Sequence, residues 1–200
     1  MGRKRSYNFT FQPGFDAVRS LPPANQIRII GGQWRGRKLH FPAHEDVRPT
    51  PDRVRETLFN WLGQDLSGAS ILDAFAGSGA LAFEALSRGA SLAVAVDRNR
   101  VLVRALDATA AKLGTTRLEA HCADAYEFLK RDARRYDVVF LDPPFIDVRW
   151  PELLPIAADR LAPGGALYAE AGEAIPGMPG LTVARRHKAG QVHYHLLRHA

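Results

Sequence analysis

The run Asp142-Pro143-Pro144-Phe145 follows Val138 to Leu141, an apolar segment that is typical of a buried strand. Two successive prolines fix backbone dihedral angles and lack amide donors, so the carbonyl groups beside them stay free to accept hydrogen bonds. The Asp142 carboxylate and the Pro143 carbonyl would hold an amino group on a heteroaromatic ring, and Phe145 would stack on that ring. This arrangement indicates chemistry at an exocyclic base nitrogen, whose delocalised lone pair has to be positioned for attack. A turn with a purely structural role is the alternative.

A glycine-rich turn, Asp73-Ala74-Phe75-Ala76-Gly77-Ser78-Gly79, follows the short apolar strand Ile71-Leu72. Ligands of open α/β sheets bind at the carboxyl ends of the strands, where glycines allow the backbone to approach them closely. Alanine occupies the third glycine position of the dinucleotide-binding pattern, so the turn alone is weak support for a particular ligand. Asp73 at the mouth of the turn would repel a pyrophosphate and would pair with the amino group of a methionine moiety. This charge favours S-adenosylmethionine over NAD as the cofactor.

Asp97 ends the next predicted strand, 24 residues after Asp73, where a carboxylate can accept hydrogen bonds from both hydroxyl groups of a ribose. Asp124 follows the third strand and would bind an adenine amino group, while the backbone of Ala125 meets the ring edge. A helix N-cap is the alternative role of Asp124, and both roles can hold together. For Asp73 and Asp97 the alternative is a solvated carboxylate at a strand end. The other residues expected around the cofactor are Ala74, Arg98 and Asp142.

From residue 70 onward, short apolar runs alternate with segments of helical periodicity. This alternation predicts βαβ units and therefore an α/β fold with a mainly parallel sheet covered by helices. The predicted strands are Ile71-Leu72, Ala93 to Val96, Leu118 to His121, Tyr136 to Leu141 and Ala166 to Ala169. The predicted helices are Leu81 to Arg88, Val101 to Leu113, Ala125 to Arg131 and Trp150 to Leu161. Two final strands without an intervening helix, Leu181 to His187 and Val192 to Arg198, predict an antiparallel hairpin at the sheet edge.

The first quarter of the chain differs from the rest. Residues 1–26 lack sustained periodicity and contain three prolines, which indicates an irregular extension. Residues 27–48 contain two β-rich runs around Gly31 to Gly36, a pattern that predicts a basic hairpin. Thr50 is placed to cap a helix that begins at Pro51 and ends near Leu62. Residues 49–200 would form a single domain.

The net charge of +6 is unevenly distributed along the chain. Residues 1–60 contain 11 lysines and arginines against 5 acidic residues, whereas residues 61–200 contain 16 of each. This asymmetry predicts a polyanionic partner for the N-terminal part, since arginine and lysine are the chief contacts to phosphates. A solvated basic tail is the alternative.

Composition excludes several classes of protein. A hydrophobic content of 46% in 200 residues suffices for one domain with a sizeable core. No apolar stretch approaches the roughly 20 residues that cross a bilayer, and the polar start of the chain is untypical of a signal peptide. A single cysteine, Cys122, excludes an internal disulfide and an all-cysteine metal cage. These features favour a cytoplasmic protein that binds neither membrane nor metal, and we expect a monomer.

Four segments together resemble the bacterial ribosomal small-subunit methyltransferase D family, from about residue 27 to the end of the chain. These segments are Arg28 to Arg37, Arg48 to Glu56, Leu72 to Arg88 and Asp142 to Phe145. The resemblance implies a class I S-adenosylmethionine-dependent methyltransferase with a Rossmann-like, seven-stranded mixed sheet and an N-terminal β-hairpin extension. It also implies methyl transfer to the N2 amino group of a guanine in 16S ribosomal RNA, within partly assembled small (30S) subunits.

The resemblance assigns roles to single positions of this chain. The residues implied around the cofactor are Asp73, Gly77, Gly79, Asp97 and Asp124, with Arg48 and Thr50 near the cofactor or its lid. The residues implied at the base are Asp142, Pro143, Pro144 and Phe145. The residues implied to face RNA are Arg35, Arg37, Lys38, Arg53 and Arg55. Arg53 and Arg55 would alternatively pair with Asp52 and Glu56 on the helix surface. Trp34 would stack on a nucleotide or close the hairpin onto the core.

The same motifs bear on three competing functions. A DNA amino-methyltransferase faces the same chemical problem at adenine N6 or cytosine N4, but a long insertion for target recognition is not visible in 200 residues. A non-catalytic RNA-binding assembly factor would not need Asp73 or Asp142, and both are present. An NAD-dependent oxidoreductase is disfavoured by Asp73 and by the incomplete glycine pattern.

Overall fold

A computed structural model describes residues 25–42, 50–144, 148–175 and 177–199 of the 200-residue chain. The strands are β1 (Asn25–Arg28), β2 (Lys38–Phe41), β3 (Ser70–Asp73), β4 (Leu92–Asp97), β5 (Leu118–Cys122), β6 (Tyr136–Leu141), β7 (Leu161–Ala171), β8 (Leu181–Ala189) and β9 (Val192–His199). The α-helices are α1 (Asp52–Leu62), α2 (Ala80–Ser87), α3 (Arg100–Leu113), α4 (Ala125–Arg131) and α5 (Trp150–Ala158). None of these helices is long and apolar enough to cross a membrane.

Seven strands form one mixed sheet in the order β5-β4-β3-β6-β7-β9-β8. β3 to β7 pair in parallel, while β9 pairs antiparallel to both β7 and β8. The predicted α/β architecture and the antiparallel hairpin at its edge are confirmed. Because β3, β4, β6 and β7 run in the same direction, they all end at one edge of the sheet, named here the carboxyl edge. The opposite edge is named the amino edge.

The two faces of the sheet carry separate apolar cores, because side chains alternate along each strand. On one face, Phe140 and Tyr168 pack with Phe59 of α1 and with residues of α2 and α3. On the other face, Val139 and Leu167 pack with residues of α4 and α5. The central strands are therefore buried on both sides, as their continuous apolar runs predict.

The last crossover helix is shorter than predicted. A helix was expected from Trp150 to Leu161, but α5 ends at Ala158 and Leu161 already belongs to β7. Leu161 is fully buried opposite Tyr136, whose backbone N–H donates to Arg160 O at 2.8 Å. Pairing with the sheet therefore outweighs the helical periodicity of the last three residues.

The start of α1 also differs from the prediction. Pro51 holds the N-cap position and no side chain caps the helix. The Thr50 hydroxyl, expected to cap it, instead donates to Asp142 Oδ2 at 3.3 Å. Thr50 is buried, so its hydroxyl needs a partner inside the protein. The expected helix cap is therefore wrong, and Thr50 lies at the carboxyl edge.

The N-terminal strands β1 and β2 pair antiparallel as predicted, and a 3-10 turn at Gly32–Trp34 connects them. Ser87, the last residue of α2, donates from Oγ to Gly31 O at 2.6 Å and accepts from Trp34 N at 2.9 Å. A Cβ atom at Gly32 would lie 1.9 Å from Ser87 O, so only glycine fits this approach. Trp34 is 7% exposed and therefore closes the hairpin onto the core, the second of its two predicted roles.

A buried carboxylate ties the hairpin to α1 and α2. Glu84 accepts hydrogen bonds from the backbone N–H groups of Ile30 and Gly31 at 2.9 and 2.8 Å. Arg55 and Arg88 form ion pairs with the same carboxylate at 3.2 and 2.9 Å. All three charged side chains lie in the interior, so the cluster depends on complete pairing for its stability.

Candidate active site

Carboxyl groups from four neighbouring strands meet at the carboxyl edge. Asp73 ends β3, Asp97 ends β4, Asp142 follows β6 and Glu170 lies near the end of β7. The negative charges of Asp73 and Glu170 are close enough to raise the pKa of Asp142. The charges of Asp97 and Glu170 likewise raise the pKa of Asp73. Asp73, Asp142 and Glu170 are named here the acidic cluster.

Asp73 is the most enclosed member of this cluster, with 1% of its surface exposed. Its Oδ2 accepts a hydrogen bond from the Ala82 backbone N–H at 3.2 Å, in the first turn of α2. Burial raises the pKa of Asp73 to about 7, and the negative charges of Asp97 and Glu170 add to the rise. The hydrogen bonds from Ala82 and Phe75 oppose this effect and do not cancel it.

The carboxyl groups of Asp142 and Glu170 have a common hydrogen-bond partner, the Thr50 hydroxyl. The Thr50 hydroxyl lies 3.3 Å from Asp142 Oδ2 and also hydrogen-bonds with Glu170. Glu170 Oε1 accepts a second hydrogen bond from the Tyr168 hydroxyl at 2.8 Å. Burial raises the pKa of Asp142 well above its usual range, and Glu170 and Asp73 raise it further. Burial also raises the pKa of Glu170.

Sequence reasoning missed Glu170 and Tyr168. Both lie on β7, and Tyr168 is opposite Phe140 on β6, which brings Glu170 beside Asp142. A signal was available, since Glu170 follows the apolar run Ala166 to Ala169 just as Asp97 and Asp142 follow theirs. An acidic residue at the end of a buried parallel strand is a candidate for the carboxyl edge whether or not a motif surrounds it.

The acidic cluster has no cationic partner in the part of the chain that the structure describes. Across residues 25–42, 50–144, 148–175 and 177–199, none of its three carboxyl groups forms an ion pair with a lysine, arginine or histidine. The same residues contain no group of histidine, cysteine, aspartate and glutamate arranged to hold a metal ion. Buried carboxyl groups without a counter-charge favour a cationic ligand and repel a phosphate.

The predicted glycine turn lies directly beside this cluster. Asp97 Oδ2 accepts from the Gly77 N–H at 2.9 Å, and its Oδ1 accepts from Asn99 N–H at 2.7 Å. Gly79 adopts φ 77°, and a Cβ atom there would lie 2.5 Å from a methyl carbon of Leu106. The turn therefore needs glycine at position 79, and Asp97 fixes its path. Ala74 donates from its N–H to Phe140 O at 3.1 Å, which joins the ends of β3 and β6.

The third predicted carboxylate has a structural role. Asp124 caps α4, because its Oδ1 accepts from the Glu127 N–H at 3.1 Å. Ala125 is buried behind it, and Arg98 follows Asp97 with its side chain exposed. Contacts of Asp124, Ala125 and Arg98 with a cofactor stay predictions.

The proline turn is described as far as Pro144. Pro143 is buried and Pro144 is exposed, so the chain leaves the sheet immediately after Asp142. Because Thr50 donates to Oδ2, the other carboxylate oxygen of Asp142 is left for a further donor. Phe145 and Arg48 lie outside the described residues.

The predicted RNA-facing residues divide into two groups. Arg35, Arg37, Lys38 and Arg53 are exposed. Arg55 has 0% exposure and donates to Thr50 O, Arg28 O and Glu84 at 3.2, 2.8 and 3.2 Å, and it also pairs with Asp52. Its predicted contact with RNA is therefore wrong, because the guanidinium group is enclosed and satisfied within the protein.

The basic tip of the hairpin, residues 31–37, lies toward the amino edge. It contacts Ser87 at the carboxyl end of α2, whereas Gly79, the residue that precedes α2, lies beside the cluster. The Arg117 guanidinium, one residue before β5, lies 5.7 Å from the Trp34 ring. Eight helical residues at about 1.5 Å each separate the two ends of α2 by about 12 Å.

Comparison with known proteins agrees with this architecture. Residues 27–198 match the family model described as Conserved hypothetical protein 95. Ribosomal RNA small subunit methyltransferase D of Escherichia coli (strain K12) is 42% identical over 178 residues, which cover 86% of this chain and 90% of that protein. The chain belongs to the ribosomal RNA small subunit methyltransferase D family. Ribosomal RNA small subunit methyltransferase D of Haemophilus influenzae is 44% identical over 124 residues, which cover 60% of this chain and 64% of that protein.

Solved structures extend the similarity to the fold. The protein yhhF from Escherichia coli superposes with a TM-score of 0.78 at 42% identity. The match covers 88% of this chain and 98% of the yhhF chain. A Haemophilus influenzae protein gives a TM-score of 0.73 at 34% identity, covering 86% of this chain and 98% of its own. The predicted class I methyltransferase fold with a seven-stranded mixed sheet is therefore confirmed.

Proposed function

We propose that this member of the methyltransferase D family transfers a methyl group from S-adenosylmethionine to the N2 amino group of a guanine in 16S ribosomal RNA. The observation that carries the proposal is the acidic cluster, which has no cationic partner among the described residues, next to the Asp142-Pro143 turn. We further propose that the substrate is the small-subunit particle and that the enzyme acts in the cytoplasm as a monomer.

The residues at the carboxyl edge fit S-adenosylmethionine, which supplies an electrophilic methyl group on a positively charged sulfur. Its ammonium and sulfonium groups match a site where Asp73 and Glu170 are buried, Asp142 is half-buried, and no counter-charge comes from the part of the chain that the structure describes. Asp73 would pair with the amino group, and Asp97 would accept hydrogen bonds from the ribose hydroxyls while it holds Gly77. Asp124 and Ala125 would lie at the adenine.

The Asp142 carboxylate and the Pro143 carbonyl would hold the guanine amino group. The raised pKa of Asp142 favours its neutral form while the cluster lacks a cation. Positive charge among the carboxyl groups lowers these pKa values, so Asp142 ionises when the site is loaded. The ionised Oδ1 then accepts from the amino group and stabilises the positive charge that develops on nitrogen. Asp142 would also hold the proton that this nitrogen loses.

Ribosomal RNA as the substrate is supported by the names of the relatives and by charge. The curated relatives at 42% and 44% identity are ribosomal RNA small subunit methyltransferases. Residues 1–60 carry a surplus of six positive charges, and Arg35, Arg37, Lys38 and Arg53 are exposed for contact with phosphates.

The test uses small-subunit particles from a strain that lacks the family enzyme. Wild-type protein and S-adenosylmethionine should produce one new methylated guanine in 16S RNA, detected by mass mapping of nuclease fragments. Asp142→Ala should lower turnover about 100-fold or more while it largely spares cofactor binding. Asp107→Ala, an exposed change of the same kind on α3, should leave turnover unaltered. Absence of any new methylated guanine with the wild type would refute the substrate assignment, and methylation of DNA instead would favour a DNA amino-methyltransferase.

A further inference from the structure

The edge strand β8 carries a run of exposed basic side chains. Arg185, Arg186, His187 and Lys188 are consecutive and all exposed. β8 is the last strand of the sheet and pairs only with β9, so its outer side faces solvent among the described residues. These four residues are named here the edge run.

The positive charge of this segment is not apparent from the net charge of residues 61–200, which is zero. Residues 174–200 contain four lysines and arginines and no acidic residue, whereas residues 61–173 contain 12 against 16 acidic residues. The balance over residues 61–200 therefore conceals a second basic segment at the C-terminus. In the described part of the chain, Arg185, Arg186 and Lys188 form no ion pair with an acidic residue.

The register of the sheet brings the edge run to the carboxyl edge. Glu170 of the acidic cluster is opposite Tyr194 on β9, and Tyr194 is opposite His187 on β8. The Tyr194 and His187 rings are in contact, with centroids 5.4 Å apart. Two strand spacings of about 4.8 Å place His187 about 10 Å from Glu170. The edge run therefore lies at the same edge of the sheet as the proposed base-binding turn, with β7 and β9 between them, while the hairpin tip lies toward the amino edge.

We propose that the edge run binds phosphates of the RNA strand on either side of the target guanine. This inference rests on the proposed function, since it concerns the RNA that presents the base to Asp142. The acidic cluster repels phosphates, so the strand that delivers a base to it needs a neighbouring surface of opposite charge. Three strand spacings of about 4.8 Å separate β8 from β6, which precedes Asp142, and this distance of about 14 Å corresponds to about four phosphates at 3.4 Å per nucleotide of a stacked strand.

Protection of a free sheet edge is the competing explanation, since charged side chains on edge strands prevent pairing with other chains. The two explanations differ in their response to salt. Phosphate contacts contribute to the slope of log K against log salt concentration, about 0.7 to 0.9 for each contact. Edge protection contributes nothing to that slope and instead affects self-association.

The test measures binding of small-subunit particles between about 50 and 200 mM salt. Arg185→Gln/Lys188→Gln should reduce affinity about tenfold and reduce the slope by about 1.4 to 1.8. Arg104→Gln/Lys112→Gln is the matched control, because it removes the same two charges from exposed positions of α3, near the opposite edge strand β5. Arg185→Lys/Arg186→Lys keeps the charge and should keep the wild-type slope.

An unchanged slope in the edge variant, or an equal reduction in both double variants, would overturn the proposal. Light scattering on the same samples identifies self-association, and aggregation of the edge variant with an unchanged slope would establish edge protection instead. Methylation of 16S RNA by the wild type is recorded in parallel. Methylation with an unchanged slope would refute the edge run alone, whereas a failure of wild-type methylation would refute the proposed function whatever the slope.

Discussion

The raised pKa of Asp73 predicts that cofactor affinity depends on pH in a specific way. Asp73 has a pKa of about 7 in the ligand-free protein, mainly because it is buried. Its ionised form is the one that pairs with an ammonium group, so binding has to remove a proton from Asp73 at lower pH. The amino group of the ligand stands beside a free carboxylate, so its pKa lies well above the value of about 7.8 for the terminal amine of a peptide, and it stays protonated up to about pH 8.

The magnitude follows from the pKa of Asp73. With the ligand amine protonated throughout, the fraction of Asp73 that is ionised is about 0.09 at pH 6, about 0.5 at pH 7 and about 0.9 at pH 8. Affinity should therefore rise about fivefold from pH 6 to pH 7 and by less than about twofold from pH 7 to pH 8. Ionisation of Asp142 or Glu170, whose pKa values are also raised, would steepen the rise and not reverse it.

Isothermal titration calorimetry at the three pH values measures this dependence. S-Adenosylhomocysteine is the probe, since it carries the same amino acid part as the cofactor. 5′-Methylthioadenosine, which lacks that part, should show no rise that depends on Asp73. Asp73→Asn keeps an acceptor for the Ala82 N–H and should bind S-adenosylhomocysteine with a smaller rise between pH 6 and pH 7 than the wild type shows. Equal wild-type affinity at pH 6 and pH 7 would refute the pairing of Asp73 with the amino group.

Three further predictions concern single regions. Asp97→Ala should weaken cofactor binding at every pH, because it removes the ribose acceptor and the hydrogen bond from Gly77. If calorimetry finds the same cofactor affinity in the variant and the wild type, the assignment of Asp97 to the ribose is refuted. Arg55→Ala should lower the free energy of unfolding in urea by about 3 kcal/mol, because Glu84 keeps only Arg88 as an ion-pair partner, while the exposed Arg53→Ala should change it by less than about 0.5 kcal/mol. Replacing Arg35, Arg37 and Lys38 by glutamine should weaken RNA binding and lower its salt slope by about 2 to 3, and an unaltered slope would mean that the hairpin tip is only a solvated surface.

The stability of the ligand-free protein should depend on the same carboxyl group. The folded pKa of Asp73 lies above its ordinary value of 3.8, so the folded state binds more protons than the unfolded state between about pH 4 and pH 7. Stability therefore falls as the pH rises through this window, the reverse of the usual behaviour of an ion-paired carboxylate. The loss from Asp73 is about 4 kcal/mol at most. Ligands that bring positive charge to the cluster should offset it.

Much of the fold follows from local patterns. Apolar runs followed by acidic residues identify β3, β4 and β6 together with Asp73, Asp97 and Asp142, because an apolar run indicates a buried strand and the acidic residue after it marks the carboxyl end of that strand. The antiparallel edge hairpin follows from two strands without an intervening helix. These features need only information from neighbouring residues.

The errors concern partners that are distant in sequence. Arg55 looks like a surface residue of α1, and only the fold reveals that Glu84, 29 residues away, neutralises it. A hint exists in α2, where Glu84 is the single charged residue of an otherwise apolar helix and therefore needs a cation. Thr50 likewise looks like a cap, because Asp142, its actual partner, is 92 residues away.

The distribution of charge explains why a methyltransferase of this size carries basic residues at two ends of its sequence. On the proposed function, the carboxyl edge has to be acidic to receive a cationic cofactor, and an acidic edge would repel the RNA that carries the substrate base. The enzyme cannot place cations inside the cluster without competing with the cofactor for the same carboxyl groups. Positive charge therefore has to lie beside the site, and the register of β7, β9 and β8 places Arg185 to Lys188 there, outside the cluster but within a few phosphates of it.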